Sequence, residues 1–260
     1  METAQQQVTV ADAGPVAVLT LARPDRRNAL SMPLMAELQQ AFEEQSRRPE
    51  VRAFVLRAEG PAFSAGHDLS ELTGRTLEDE QAIFQACSDL MATVQRVPQP
   101  VIAAVQGVAT AAGCQLVAAC DLAIASERAT FATPGVKIGL FCSTPMVAVS
   151  RAIGRKRALW MLLSGRPVDA MTAADWGLVN DVVPAEDLDR AALEMANQVA
   201  SASPLTLAIG KRAFYEQIDV AQPEAYRLMS QTMAENAMTC DAQEGMSAFL
   251  EKRTPTWRGR

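Results

Sequence analysis

Only one histidine, His67, occurs in 260 residues, which excludes any centre built on several imidazoles. The five cysteines, Cys87, Cys114, Cys120, Cys142 and Cys240, are odd in number and carry no metal-ligand spacing. That scatter argues against a zinc site and against a disulfide framework. Unpaired thiols fit a reducing compartment, and a cytoplasmic location is expected on that basis. No G-x-G-x-x-G follows a strand and no G-x-x-x-x-G-K-[ST] is present, so dinucleotide and P-loop nucleotide binding lack their motifs. The G-x-S-x-G elbow of serine hydrolases is missing too. Positive charge is in the minority, with 24 Lys and Arg against 30 Asp and Glu and a net charge of −6. Nucleic acid and anionic membrane surfaces are therefore not expected partners. The opening METAQQQVTVADAG has neither the basic start nor the apolar core of a signal peptide.

What the chain does have is apolar content, 49% against 21% charged, enough for one sizeable core and a small second lobe at this length. Val97 to Cys120 contains no charged residue and is long enough to span a bilayer. Its alanines, its two prolines and Gln99, Gln106 and Gln115 point instead to a strand, a turn and a buried helix. Val16–Leu21 reads as a buried strand entering the turn Arg23-Pro24-Asp25. Ser31 caps the helix that follows, with Pro33 in its first turn. Phe54–Leu56, Val101–Val105 and Leu122–Ala125 are further strands, and residues 76–96 are helical. Gly107–Gly113 reads as a turn, and Thr130–Cys142 as a loop broken by Pro134, Gly135 and Gly139. Helices dominate after residue 145, with starts at Ser203-Pro204 and Gln222-Pro223 and a capping box at Asp241 and Glu244. Strands alternating with helices, then helices alone, predict an α/β core followed by a helical lobe.

Two glycine-containing turns, each after a strand, are the chemical candidates: Ser64-Ala65-Gly66-His67-Asp68 and Gly107 through Cys114. Small residues before a helix start let a ligand reach backbone N–H groups. Two such turns facing each other make an oxyanion hole, in which one donor is worth roughly 3–4 kcal/mol of barrier. Ser64, His67 and Asp68 are no triad, because residues within five positions of one loop do not converge as a triad requires.

The run Phe63–Leu69 (FSAGHDL), the second turn Gly107–Gln115 and then Cys120-Asp121-Leu122 resemble the crotonase (enoyl-CoA hydratase/isomerase) superfamily. Arg23-Pro24, Asn28-Ala29-Leu30, Phe131-Ala132-Thr133-Pro134, Ala174 with Gly177-Leu178-Val179, and the ending Glu244–Arg253 extend the resemblance over nearly the whole chain. It implies a crotonase-like spiral of ββα units over residues 1–200 and a helical oligomerisation lobe over residues 201–260, building a homotrimer or a dimer of trimers. It implies a small-molecule acyl-CoA substrate, with coenzyme A carried as part of the substrate and no separate cofactor. In the family's pattern the oxyanion N–H groups are those of His67 and Ala112. Ala65, Asp68 and Leu69 would line the adenine side of the pocket. Arg26 or Arg27 would meet the phosphates, and Phe249 and Lys252 would reach the nucleotide, often from a neighbouring subunit.

The chain departs from that pattern where family hydratases carry their two glutamates. Those positions hold Gln115 and Gly135, so the expected proton-transfer groups are gone. Glu71 and the thiol of Cys142 are weaker candidates, better read as surface and inert; the His67 side chain can titrate near neutral pH. Three functions stay open. The first is hydratase or isomerase chemistry by other means; the second is decarboxylation of a malonyl-type thioester, which needs no base; the third is acyl-CoA binding without turnover.

Overall fold

The computed structural model describes residues 6–260; the expectation for the start of the chain falls partly on residues 1–5, outside that range. The chain opens with an antiparallel hairpin of β1 (Val8–Ala13) and β2 (Val16–Leu21), then α1 (Met32–Ser46). Three similar steps follow. They are β3 (Ala53–Ala58), β4 (Ala62–Ser64) and α2 (Leu77–Arg96); β5 (Val101–Val105), β6 (Val108–Thr110) and α3 (Ala112–Ala119); then β7 (Leu122–Ser126), β8 (Thr130–Ala132) and α4 (Ser143–Ile153). In each step the first strand joins a six-stranded sheet and the second crosses to a four-stranded one. The remainder is α5 (Arg155–Ser164), β9 (Val168–Asp169), α6 (Ala170–Trp176), β10 (Asp181–Val183), α7 (Leu188–Ala200), α8 (Pro204–Gln217), α9 (Gln222–Ala237) and α10 (Cys240–Glu251). The large sheet runs β1-β2-β3-β5-β7-β10 and the small one β4-β6-β8-β9. This is the ββα spiral with trailing helices that the family resemblance implied.

The apolar runs of β2 and β5 are buried along their whole length because the large sheet is covered on both faces. One face, including Leu19, Leu21, Phe54 and Leu56, packs into the main core with Leu38 and Phe42 of α1. The other, including Val16, Val18, Val55 and Ile102, meets Ala192 and Ala196 of α7. The Ser31 hydroxyl accepts from the Leu34 N–H, as its capping role predicts, and Thr76 forms a reciprocal capping box with Asp79 at the start of α2.

Several local expectations are corrected. Gly107–Gly113 is not simply a turn, and Thr130–Cys142 is not all loop: β6 and β8 lie inside them, three residues each, held by parallel pairing to neighbours in the small sheet. Strand β1 carried no sequence assignment, and β9 and β10 interrupt the helical half. The helix start near residue 240 uses Thr239, whose hydroxyl accepts from Ala242 N–H at 3.2 Å. Asp241 instead sits buried, accepting from Ser203 Oγ and from the N–H groups of Arg258 and Gly259. The uncharged stretch from residue 97 to 120 becomes β5, β6 and α3. No helix among the described residues is long and apolar enough to cross a membrane.

The last three helices sit lightly on this core. Ala213 is the one buried residue of α8, and α9 buries none. What fastens α8 is polar. Lys211 Nζ lies 2.6 Å from Asp121 Oδ2 and donates to the carbonyls of Val94 and Gln99, while the Tyr215 hydroxyl donates to Asp121 Oδ1 at 2.8 Å.

Candidate active site

The first turn is shaped by the segment before it. Asn28, fully buried with φ 52°, accepts from Arg23 N–H and donates through Nδ2 to the carbonyls of Glu59 and Ala62. Ser64 Oγ donates to the Asn28 carbonyl at 2.8 Å, Ala65 N–H donates to Arg27 O, and Leu30 N–H donates to Gly66 O at 2.7 Å. These bonds lay residues 27–30 along the end of β4 and take up the turn's polar groups in order. The His67 N–H is left with no acceptor among the described residues.

The second turn follows β6. Ala111 stands at φ 49°, ψ −118°, a region that disfavours a residue with a β-carbon and costs about 1–3 kcal/mol. That kink starts α3 at Ala112, whose N–H, at the first helical position, has no partner within the helix. The two turns touch. Thr110 Oγ1 donates to Ala65 O at 3.0 Å. A β-carbon on Gly66, which has φ +87°, would stand 2.9 Å from Thr110 O and 3.2 Å from Ala112 N. One on Gly113 would stand 2.4 Å from Ser64 O. Glycine at both places is what lets the turns close on each other.

Both unpaired N–H groups belong to residues lining one pocket of about 560 Å³. Its wall is mostly apolar: Leu72, Phe84, Ile138, Leu140 and Phe141 face it with Pro145. No carboxylate is part of this lining. Its titratable groups are His67, Lys137 and Cys142. Burial lowers the His67 pKa below the ordinary histidine value, only partly offset by the nearby Leu30 carbonyl, so the ring is neutral at pH 7. Burial pushes the Cys142 thiol up, so it is not a thiolate nucleophile.

The residues singled out in the sequence are brought together in part. His67, Ala112, Ala65, Leu69 and Gly135 all line the pocket. Gln115 does not. It lies buried on α3, where Cys87 Sγ donates weakly to its Oε1 at 3.9 Å. It borders a second cavity of about 650 Å³ between α2, α4 and α8, which shares only Thr144 with the first. Gly135 offers no room for a side chain, because a β-carbon there would lie 1.9 Å from the Leu140 carbonyl oxygen and 2.9 Å from Cys142 Sγ. Asp68 braces its own loop, accepting from Ser70 and pairing with Arg23 at 3.3 Å. Glu71 is turned away and accepts from the Met32 N–H at the start of α1. Arg26 is exposed beside Asp25, and the Arg27 backbone is joined to Ala65. Phe249 and Lys252 lie exposed at the end of α10, outside the pocket lining of their own chain. The basic cluster around residue 155 is partly neutralised, Arg151 by Asp219 and Arg157 by Asp175. Sequence reasoning missed Leu72, Phe84, Lys137 and Ile138; at helical spacing Phe84 is indistinguishable from a core residue, and the others sit in or at the end of short 3-10 turns without a motif.

Comparison with known proteins places this geometry. The family model for enoyl-CoA hydratase/isomerase matches residues 12–260. The rat protein "enoyl-CoA hydratase domain-containing protein 3, mitochondrial" is 46% identical over 240 residues, covering 92% of this chain and 80% of its own. A crystal structure of a Mycobacterium smegmatis enoyl-CoA hydratase superposes with a TM-score of 0.93 at 47% identity, over 96% of this chain and 98% of that one. The human enoyl coenzyme A hydratase domain-containing protein 3 gives 0.93 at 44% identity, over 96% of this chain and all of the other. The cytoplasmic expectation is corrected here, since the rat, mouse and human relatives are mitochondrial by name. Free thiols report a reducing environment, not an address. By its sequence, its ββα spiral and its paired turns, the chain belongs to the enoyl-CoA hydratase/isomerase family of the crotonase superfamily.

Proposed function

We propose that this chain binds an acyl-CoA thioester and stabilises its enolate with the backbone N–H groups of His67 and Ala112. The observation that carries the reading is the meeting of those two unpaired donors at one largely apolar pocket. Donors fixed in advance, in a site that excludes water, stabilise charge as it develops on the thioester oxygen. The apolar wall suits an acyl chain. In this reading Ala65, Asp68 and Leu69 flank the adenine, Arg26 or Arg27 meets the phosphates, and Phe249 and Lys252 serve a neighbouring subunit's site in a trimer or a dimer of trimers. Chemistry of the hydratase/isomerase type proceeds without the two-glutamate arrangement, because Gln115 faces another cavity and position 135 is filled by the Leu140 carbonyl.

The carboxylate-free lining also favours a second reading, decarboxylation of a malonyl-type thioester, in which the departing carboxylate supplies the electrons and no base is required. Calorimetry with butyryl-CoA comes first, and saturable binding that free coenzyme A does not match supports the thioester reading. Absence of such binding refutes it. Crotonyl-CoA and methylmalonyl-CoA then separate the chemistries: loss of the conjugated absorbance marks hydration, and carbon dioxide release marks decarboxylation. Binding with neither leaves a non-catalytic carrier.

A further inference from the structure

His67 presents more than its backbone. The Leu30 carbonyl lies near the ring, but neither ring nitrogen makes a well-formed hydrogen bond among the described residues, although both are shielded from solvent by the surrounding protein. Leaving two polar atoms in that condition costs on the order of 1–3 kcal/mol each, which a structural histidine normally avoids by taking a partner. The ring is also held in place. It stands edge-on to Phe84 of α2, with centroids 5.3 Å apart and planes at 89°, and its backbone is fixed by the parallel bridge to Leu30. His67 as a residue lines the same pocket as the two proposed oxyanion donors. By covalent geometry alone, its nitrogens lie within roughly 5 Å of its own N–H.

We propose that the imidazole of His67 is the proton-transfer group of the pocket, taking a proton from the α-carbon of the bound thioester. The inference rests on the thioester reading above and supplies what the missing carboxylates leave undone. The α-carbon–hydrogen bond breaks, the proton passes to a ring nitrogen, and the electron pair moves onto the thioester oxygen as an enolate. The N–H groups of His67 and Ala112 hold that enolate. Return of a proton from the imidazolium restores the thioester, so one residue holds the oxygen through its main chain and works on the adjacent carbon through its side chain. The pocket's thiol suits the task poorly, because burial pushes Cys142 up and keeps it protonated. Beyond the lining, Asp68 is committed to Ser70 and Arg23, and Glu71 to the Met32 N–H.

The test is α-hydrogen exchange of butyryl-CoA in D2O, followed by proton NMR, with calorimetry on the same samples. The wild-type chain is expected to bind butyryl-CoA and wash deuterium into its α-position. Its rate should fall as the pH drops through a single group titrating below the ordinary histidine value. His67→Ala keeps the backbone donor, so binding should stay within about threefold, while exchange falls at least about 100-fold, the usual scale for losing a general base. Added imidazole should restore part of that rate, which a merely structural role does not predict. His67→Gln, closer in volume, guards against misfolding and should behave like the alanine variant. Exchange in a folded variant within about tenfold of wild type overturns the proposal, as does a wild-type protein that binds without exchanging. Failure of the wild-type protein to bind butyryl-CoA overturns the thioester reading itself, and this inference with it.

Discussion

Replacing Gly135 with alanine probes how tightly the 139–142 segment closes over this position. The added β-carbon would stand 1.9 Å from the Leu140 carbonyl oxygen and 2.9 Å from Cys142 Sγ. Carbon and oxygen need more than 3 Å without a bond, so the 139–142 segment must move by over an ångström. That movement strains the 3.0 Å bond from Leu140 N–H to Gly135 O and shifts Cys142, which directly precedes α4. Overpacking costs about 1–3 kcal/mol and the weakened hydrogen bond about 1 more, so a loss of about 2–4 kcal/mol follows. At this chain length that is a fall in melting temperature of roughly 4–7 °C. Scanning calorimetry of Gly135→Ala at fixed protein concentration measures it. Gly135→Glu should suffer at least as much and gain no hydration of crotonyl-CoA, because its carboxylate enters only by displacing the loop. An alanine variant melting within about 2 °C of wild type, or a glutamate variant that hydrates crotonyl-CoA, would refute the argument that the loop has closed over this position.

Lys211→Met removes the cation beside a buried carboxylate, leaving Asp121 to the Tyr215 hydroxyl and the Val101 N–H; a loss of about 3–5 kcal/mol is expected in thermal denaturation, against about 1 for Tyr215→Phe. Ala111→Gly relieves a backbone strain of about 1–3 kcal/mol and gives back about 0.4–1 through the freer unfolded chain, so its melting temperature should rise by a few degrees. A lower one means the kink is unstrained. The lowered pKa of His67 makes the unfolded chain bind a proton that the folded chain refuses. Its contribution is therefore complete above about pH 6.5 and is lost as the pH falls from there through the lowered value. Between pH 7.5 and 5, wild type should lose more stability than His67→Gln in paired denaturant titrations; equal losses contradict the assignment.

Where burial is continuous along a strand, as in VAVLTL and VIAAV, the sequence announced the element unaided. Strands β6 and β8 stayed hidden because three residues carry no usable period, and only pairing across the small sheet defines them. The pattern Asp241-x-x-Glu244 looked like a helix cap, but Asp241 answers to Arg258 and Gly259, 17 and 18 residues away. At the site, Gln115 and Gly135 were visible as letters. What the letters did not carry was direction: Gln115 borders a different cavity, and a carbonyl five residues downstream fills the room at 135. The unpartnered ring of His67 was equally invisible, since a lack of hydrogen bonds is a property of surroundings.

The oxyanion hole proposed above is made of main chain and so has an odd genetic signature. Its donor at Ala112 is present in every amino acid except proline, so a saturation mutagenesis map would record a position governed by size alone. The same map would colour Gly66 and Gly113 as intolerant, though neither supplies a donor, because each added methyl group collides with the opposite turn. Selection on such a site is read one residue away from the chemistry, and searching for an invariant functional side chain there finds the hinges and overlooks the bond.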